Sequence, residues 1–90
     1  MEVGVNLTGH ALHPGTESTF TENVSSCGAR VLSSRKWKIN DRLVISTVAG
    51  SFQSVARVAY CELAPQAGFA VGLEFVEPRG TWVISGESAA

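Results

Sequence analysis

The sequence predicts an all-β fold, a small six-stranded antiparallel β-barrel, and three observations predict it. Phe69, Val71, Leu73 and Phe75 alternate with Ala70, Gly72, Glu74 and Val76, which is the period of a strand with one face buried. Leu43-Val44-Ile45-Ser46-Thr47-Val48 is a β-branched run bounded by turn formers. No segment sustains a helical period, while glycine, proline, asparagine and serine recur between short apolar runs. Short strands at regular spacing suit a barrel, and closure removes the exposed edges of an open sheet.

The strands follow in order. Val3, Val5 and Leu7 alternate with Gly4, Asn6 and Thr8, and the strand has room to continue through Ala11 and Leu12. His13-Pro14-Gly15-Thr16 is a turn, because proline presets φ and glycine frees the next residue. Glu17 to Glu22 is a second, more polar strand, expected near an edge. Asn23 to Gly28 connects it to a short third strand, Ala29 to Leu32, with a positive φ expected at Gly28. A basic stretch, Ser33 to Lys38, and a turn at Asn40-Asp41 lead into the fourth strand. Ala49-Gly50-Ser51 turns the chain into a fifth, Phe52 to Cys61. Ala64 to Gly68 is a loop before the sixth, which Glu77-Pro78-Arg79-Gly80 ends. Thr81 to Ile84 reads as a terminal turn or strand, and Ser85 to Ala90 as a frayed end. The inward set is expected to be Val5, Leu7, Phe20, Val31, Leu43, Ile45, Val58, Val71, Leu73 and Phe75.

Ninety residues make one domain, 1–90, with a modest core. Hydrophobic residues at 44% and charged residues at 17% place the chain among folded globular proteins. A net charge of −1 supplies no field for a nucleic acid polymer. No apolar run is long enough for membrane insertion as a helix, and Met1-Glu2-Val3-Gly4 lacks a signal-peptide start. Two cysteines, Cys27 and Cys61, are too few for a disulfide framework and read as reduced thiols, so a cytoplasmic location is expected.

No catalytic constellation is visible, and the chain is expected not to be an enzyme. His10, His13, Cys27 and Cys61 would satisfy zinc by residue type, but their spacing favours solvated histidines and buried thiols, and no metal site is expected. Glu74 reads as the exposed face of its strand. Arg35, Lys36 and Trp37 form a candidate contact for an acidic partner, against a plainer reading in which Trp37 tucks under the barrel end.

The spacing Asn23-x-Ser25-x-x-Gly28 resembles the second signature of the PilZ family, small bacterial β-barrels, many of which bind cyclic di-GMP. Ala29-Arg30-Val31-Leu32, Ala56-Arg57-Val58-Ala59 and Val71-Gly72-Leu73-Glu74-Phe75 are similar to the family's later strands, and Trp82 to its late aromatic. The resemblance runs from about Val5 to Trp82 and implies a six-stranded barrel, often followed by a helix. It implies Asn23, Ser25, Gly28 and Arg30 as nucleotide contacts. The family's first motif, Arg-x-x-x-Arg before the first strand, has no counterpart, because no arginine precedes Arg30. Paired guanidinium forks are what hold phosphates, so cyclic di-GMP binding is expected to be weak or lost. Asn23 and Ser25 are expected to bond their own backbone. The function this implies is a non-enzymatic signalling or adaptor module with a protein partner and no cofactor. The alternative is a cyclic di-GMP receptor whose arginines come from elsewhere.

Overall fold

The structure is a computed structural model that describes residues 2–65 and 68–82. Six strands are present: β1 (Gly4–Thr8), β2 (Glu17–Ser25), β3 (Gly28–Ser33), β4 (Arg42–Thr47), β5 (Phe52–Leu63) and β6 (Phe69–Gly80). They close into a barrel in the order β1-β2-β3-β6-β5-β4, and every neighbouring pair is antiparallel. β1 closes the ring by pairing with β2 on one side and β4 on the other.

Eight of the ten expected inward residues are buried: Val5, Leu7, Val31, Leu43, Ile45, Val58, Val71 and Leu73. Phe75 is half-buried and packs against that core. Phe20 is the correction, at 42% exposed. The alternation of β2 turns Thr19 and Thr21 inward, and Glu22 bulges before Asn23 pairs with Arg30. Thr21 is fully buried, and its hydroxyl accepts the Val3 N–H at 2.9 Å, so a polar side chain fills the layer expected of phenylalanine.

Several boundaries also differ. β2 runs on to Ser25, and only Ser26 and Cys27 separate it from β3. β2 has no free flank near its start, since closure pairs it with β1. β1 ends at Thr8, and Ala11-Leu12 instead form a tight turn closed by His13 N–H on His10 O at 3.1 Å. β6 passes through Pro78 to Gly80, because its ladder with β3 ends at Glu74 and residues beyond Phe75 pair with β5 alone. The other side of that backbone is where a strand tolerates proline. The expected turn or strand at Thr81 to Ile84 falls partly outside the described residues, as does all of Ser85 to Ala90.

A tryptophan closes each end of the barrel. Trp37, 3% exposed, is part of the core, and its indole N–H donates to Ser33 Oγ at 3.0 Å. Ser33 in turn donates to Glu17 at 2.7 Å, and Glu17 also accepts the Ser34 N–H and hydroxyl at 2.7 and 2.8 Å. At the other end Trp82 packs with Phe52 and Phe75, centroids 4.8 and 4.9 Å away, and donates to Ser25 O at 2.8 Å.

Gly28 is needed for a reason other than the one expected. Its φ is not positive; instead a Cβ at this position would lie 2.1 Å from the Leu73 carbonyl oxygen. β3 and β6 approach so closely here that any side chain would push them apart. We expect Gly28→Ala to lower unfolding free energy by roughly 1–3 kcal/mol in a urea titration, as overpacking does. A midpoint equal to the parent's would show that the strands separate freely.

The Glu17 network carries a pH signature. Burial opposes ionisation of Glu17, but the Ser34 N–H, the Ser33 and Ser34 hydroxyls and the charge of Arg35 outweigh it and hold the carboxyl below its ordinary value. A lowered folded-state pKa stabilises above the unfolded value, and that stability is lost as pH falls through the folded one. Glu17→Gln should therefore melt below the parent at neutral pH. The gap should narrow as pH falls from about 5 towards about 3; a gap constant with pH would show that the carboxylate charge contributes nothing.

Candidate functional site

One rung of the barrel wall crosses four strands: Asn23 on β2, Arg30 on β3, Gly72 on β6 and Tyr60 on β5. Tyr60 lies flat across Gly72, where a Cβ would fall 2.1 Å from a ring carbon. The missing side chain is thus what lets the aromatic ring lie down on the sheet. Arg30 reaches over it, with its guanidinium carbon 5.6 Å from the ring centroid and Nη1 donating to the Tyr60 hydroxyl at 3.1 Å. Two carboxylates complete the cluster, Glu22 at 3.1 Å and Glu62 at 2.8 Å. The hydrogen bonds to Tyr60, Glu22 and Glu62 raise the Arg30 pKa still further, so its charge is permanent.

Beside this rung opens a cleft of about 450 Å³, lined among others by Asn23, Ser25, Gly28, Arg30, Tyr60 and Glu74. All four residues expected to meet a nucleotide therefore share one surface. The side-chain oxygens of Asn23 and Ser25 have partners within the chain. Asn23 Oδ1 accepts the Val24 N–H at 3.0 Å. The Ser25 hydroxyl donates to Gly28 O and accepts the Cys27 N–H, both at 3.4 Å. Glu74 is exposed, as its alternation suggests, and pairs with Arg57 at 3.4 Å.

Arg35, Lys36 and Trp37 belong to the far end of the barrel and not to this cleft. The buried indole of Trp37 follows the plainer reading, in which it tucks under the barrel end, and leaves its neighbours to make the surface above it. Arg35 donates to the carbonyls of His13 and Pro14 at 3.2 and 3.3 Å and so fastens the β1–β2 loop. Lys36 is exposed. The two histidines pack against Trp37 at 5.2 and 4.5 Å. His10 Nδ1 accepts the Leu12 N–H while Nε2 lies 3.3 Å from Asp41 Oδ1, so its proton sits on Nε2. Among the described residues no three His, Cys, Asp or Glu side chains are grouped to hold a metal ion. Cys27 is exposed at the cleft rim and Cys61 half-buried on β5, both free thiols.

Tyr60 in the cleft, and the Arg30 partners Glu22 and Glu62 beside it, are residues that sequence reasoning did not single out. The available signal was a mid-strand glycine, Gly72, in a strand otherwise made of larger residues, which marks a close approach. Compared with family models, with curated proteins and with solved structures, the chain matches none.

Exposure sets an order of thiol reactivity that can be read directly. Cys27 should be modified by a maleimide in the native state well before Cys61. Equal rates, by mass spectrometry of the labelled peptides, would mean that the β5 wall opens as readily as the turn.

Proposed function

We propose that the chain is a PilZ-like, non-enzymatic signalling module that works through protein contacts and binds cyclic di-GMP weakly or not at all. The observation that carries this is the enclosure of Arg30 by Glu22 and Glu62. An incoming phosphate needs a guanidinium whose donors are free. Here Nε and Nη1 are engaged by Glu22, Glu62 and the Tyr60 hydroxyl, and a phosphate approaching the remaining Nη2 would meet two carboxylates that repel it. Arg57, a further cation on the wall, is engaged by Glu74 and Asn40. The free thiols suit a reducing, cytoplasmic setting.

The receptor reading has one observation in its favour: Asn23, Ser25, Gly28 and Arg30 line a single cleft. On that reading arginines supplied from elsewhere would displace the two glutamates and clamp the phosphates.

Calorimetric titration with cyclic di-GMP separates the two. The parent should give no saturable heat at tens of micromolar ligand. Glu22→Gln combined with Glu62→Gln should bind more tightly than the parent, since it releases the Arg30 donors. Saturable binding by the unmodified chain, lost in Ser25→Ala, would establish the receptor reading instead.

A further inference from the structure

The end of the barrel above Trp37 is built from two clasped loops. The β1–β2 loop presents Leu12 at the apex of the turn closed between His10 and His13. The β3–β4 loop presents Ile39 at the apex of the turn closed by Asp41 N–H on Lys38 O at 3.0 Å. The loops hold each other through His10 and Asp41 at 3.3 Å, His13 Nε2 and Lys36 O at 3.1 Å, and the Arg35 bonds. Leu12 is 74% exposed and Ile39 63%. Turn apices ordinarily carry polar residues or glycine, and neither aliphatic chain contributes to the core.

Charge is arranged around the same two apices. Lys36, Lys38 and Arg42 are exposed there, and none has a carboxylate partner among the described residues. The nearby acids are engaged: Glu17 with the serines and Asp41 with His10 and the Lys38 N–H. Exposed Glu2 and Glu77 lie towards the opposite end, beside the starts of β1 and β5. A chain with a net charge of −1 thus gathers three exposed cations without carboxylate partners at this end.

We infer that this end docks on an anionic lipid bilayer, with Leu12 and Ile39 entering the headgroup region and Lys36, Lys38 and Arg42 meeting lipid phosphates. Cations beside exposed aliphatic side chains are what interfacial binding uses, each cation adding a modest electrostatic gain and each apolar tip a burial gain. The aliphatic groups stand on protruding turns and not in a groove, so a deformable surface fits them better than a folded partner of fixed shape. The protein would lie on the membrane and not cross it; among the described residues no helix is long and apolar enough to span a bilayer. This inference goes beyond the proposed protein contacts and does not depend on the state of the cleft.

Cosedimentation with vesicles tests it. The parent should bind phosphatidylcholine vesicles containing phosphatidylserine at low salt, bind pure phosphatidylcholine vesicles far less, and be released as salt rises. Lys36→Glu with Lys38→Glu should weaken binding at least about tenfold. Leu12→Ser with Ile39→Ser should weaken it comparably while leaving the melting temperature unchanged, because both residues are exposed. Failure to sediment, equal binding to the uncharged vesicles, or insensitivity to either double variant would overturn the inference. So would a concentration-dependent dimer abolished by Leu12→Ser with Ile39→Ser, which would assign the patch to a second copy.

Discussion

Closure of six strands into a ring sets the terms for the rest of this molecule. β1 is only five residues long, yet it carries two ladders, and without it β2 and β4 would be open edges. A ring of six leaves a narrow interior, filled by the aliphatic Val5, Leu7, Val31, Leu43, Ile45, Ala56, Val58, Val71 and Leu73 with the polar Thr21 and Ser54. The polar ones enter because their hydroxyls reach backbone. Thr21 accepts from Val3 N–H, and Ser54 donates to Val55 O at 2.7 Å. Among the described residues no buried side-chain nitrogen or oxygen lacks a partner. The bulky aromatics are displaced to the ends, where the ring widens into loops and Trp37 and Trp82 act as stoppers.

Two glycines line the cleft. Where β3 approaches β6 at its start, Gly28 is the residue without a side chain to obstruct Leu73 O. Two rungs away, Gly72 leaves a flat patch of sheet that Tyr60 covers from the neighbouring strand. Ring and backbone together form a shelf, and Arg30 stacks on its edge. The two glycines are thus required by different neighbours, Gly28 by a backbone carbonyl and Gly72 by an aromatic ring laid across it. The chemistry on that platform is a separate matter. Glu22 and Glu62 come from β2 and β5 and engage the guanidinium at Nε and Nη1.

Much of the wall was legible in the sequence because period-two alternation and β-branched runs report burial directly. Val71 and Leu73, or Leu43 and Ile45, fall inside for that reason. Phe20 does not, because hydrophobicity alone favoured it while β2's pairing and the bulge at Glu22 decided the parity; a bulge has no strong local signal in a polar strand. Gly28 was readable as indispensable but not why, since a positive φ and a close backbone contact select the same residue. The four nucleotide-like residues were legible as a spacing. Their pairing was not: Arg30 and Tyr60 are 30 positions apart and meet only because β6 lies between their strands.

The two surfaces of interest differ in how their charges are disposed. On the wall, Arg30 and Arg57 face Glu22, Glu62 and Glu74, so the field of each cation is cancelled within a few ångströms. Exposed pairs of this kind add little to stability, but they set carboxylates beside each of these guanidinium groups. At the end above Trp37 the acids are consumed by backbone and serine donors, and the lysines are left over. Glu17 and Asp41 do structural work there, fixing Ser34 and the Lys38 turn, and in doing so they cease to be partners for Lys36 and Lys38. An anion arriving from solution therefore meets neutralised cations on the wall and unneutralised ones at the end, although the wall carries the more suggestive motif.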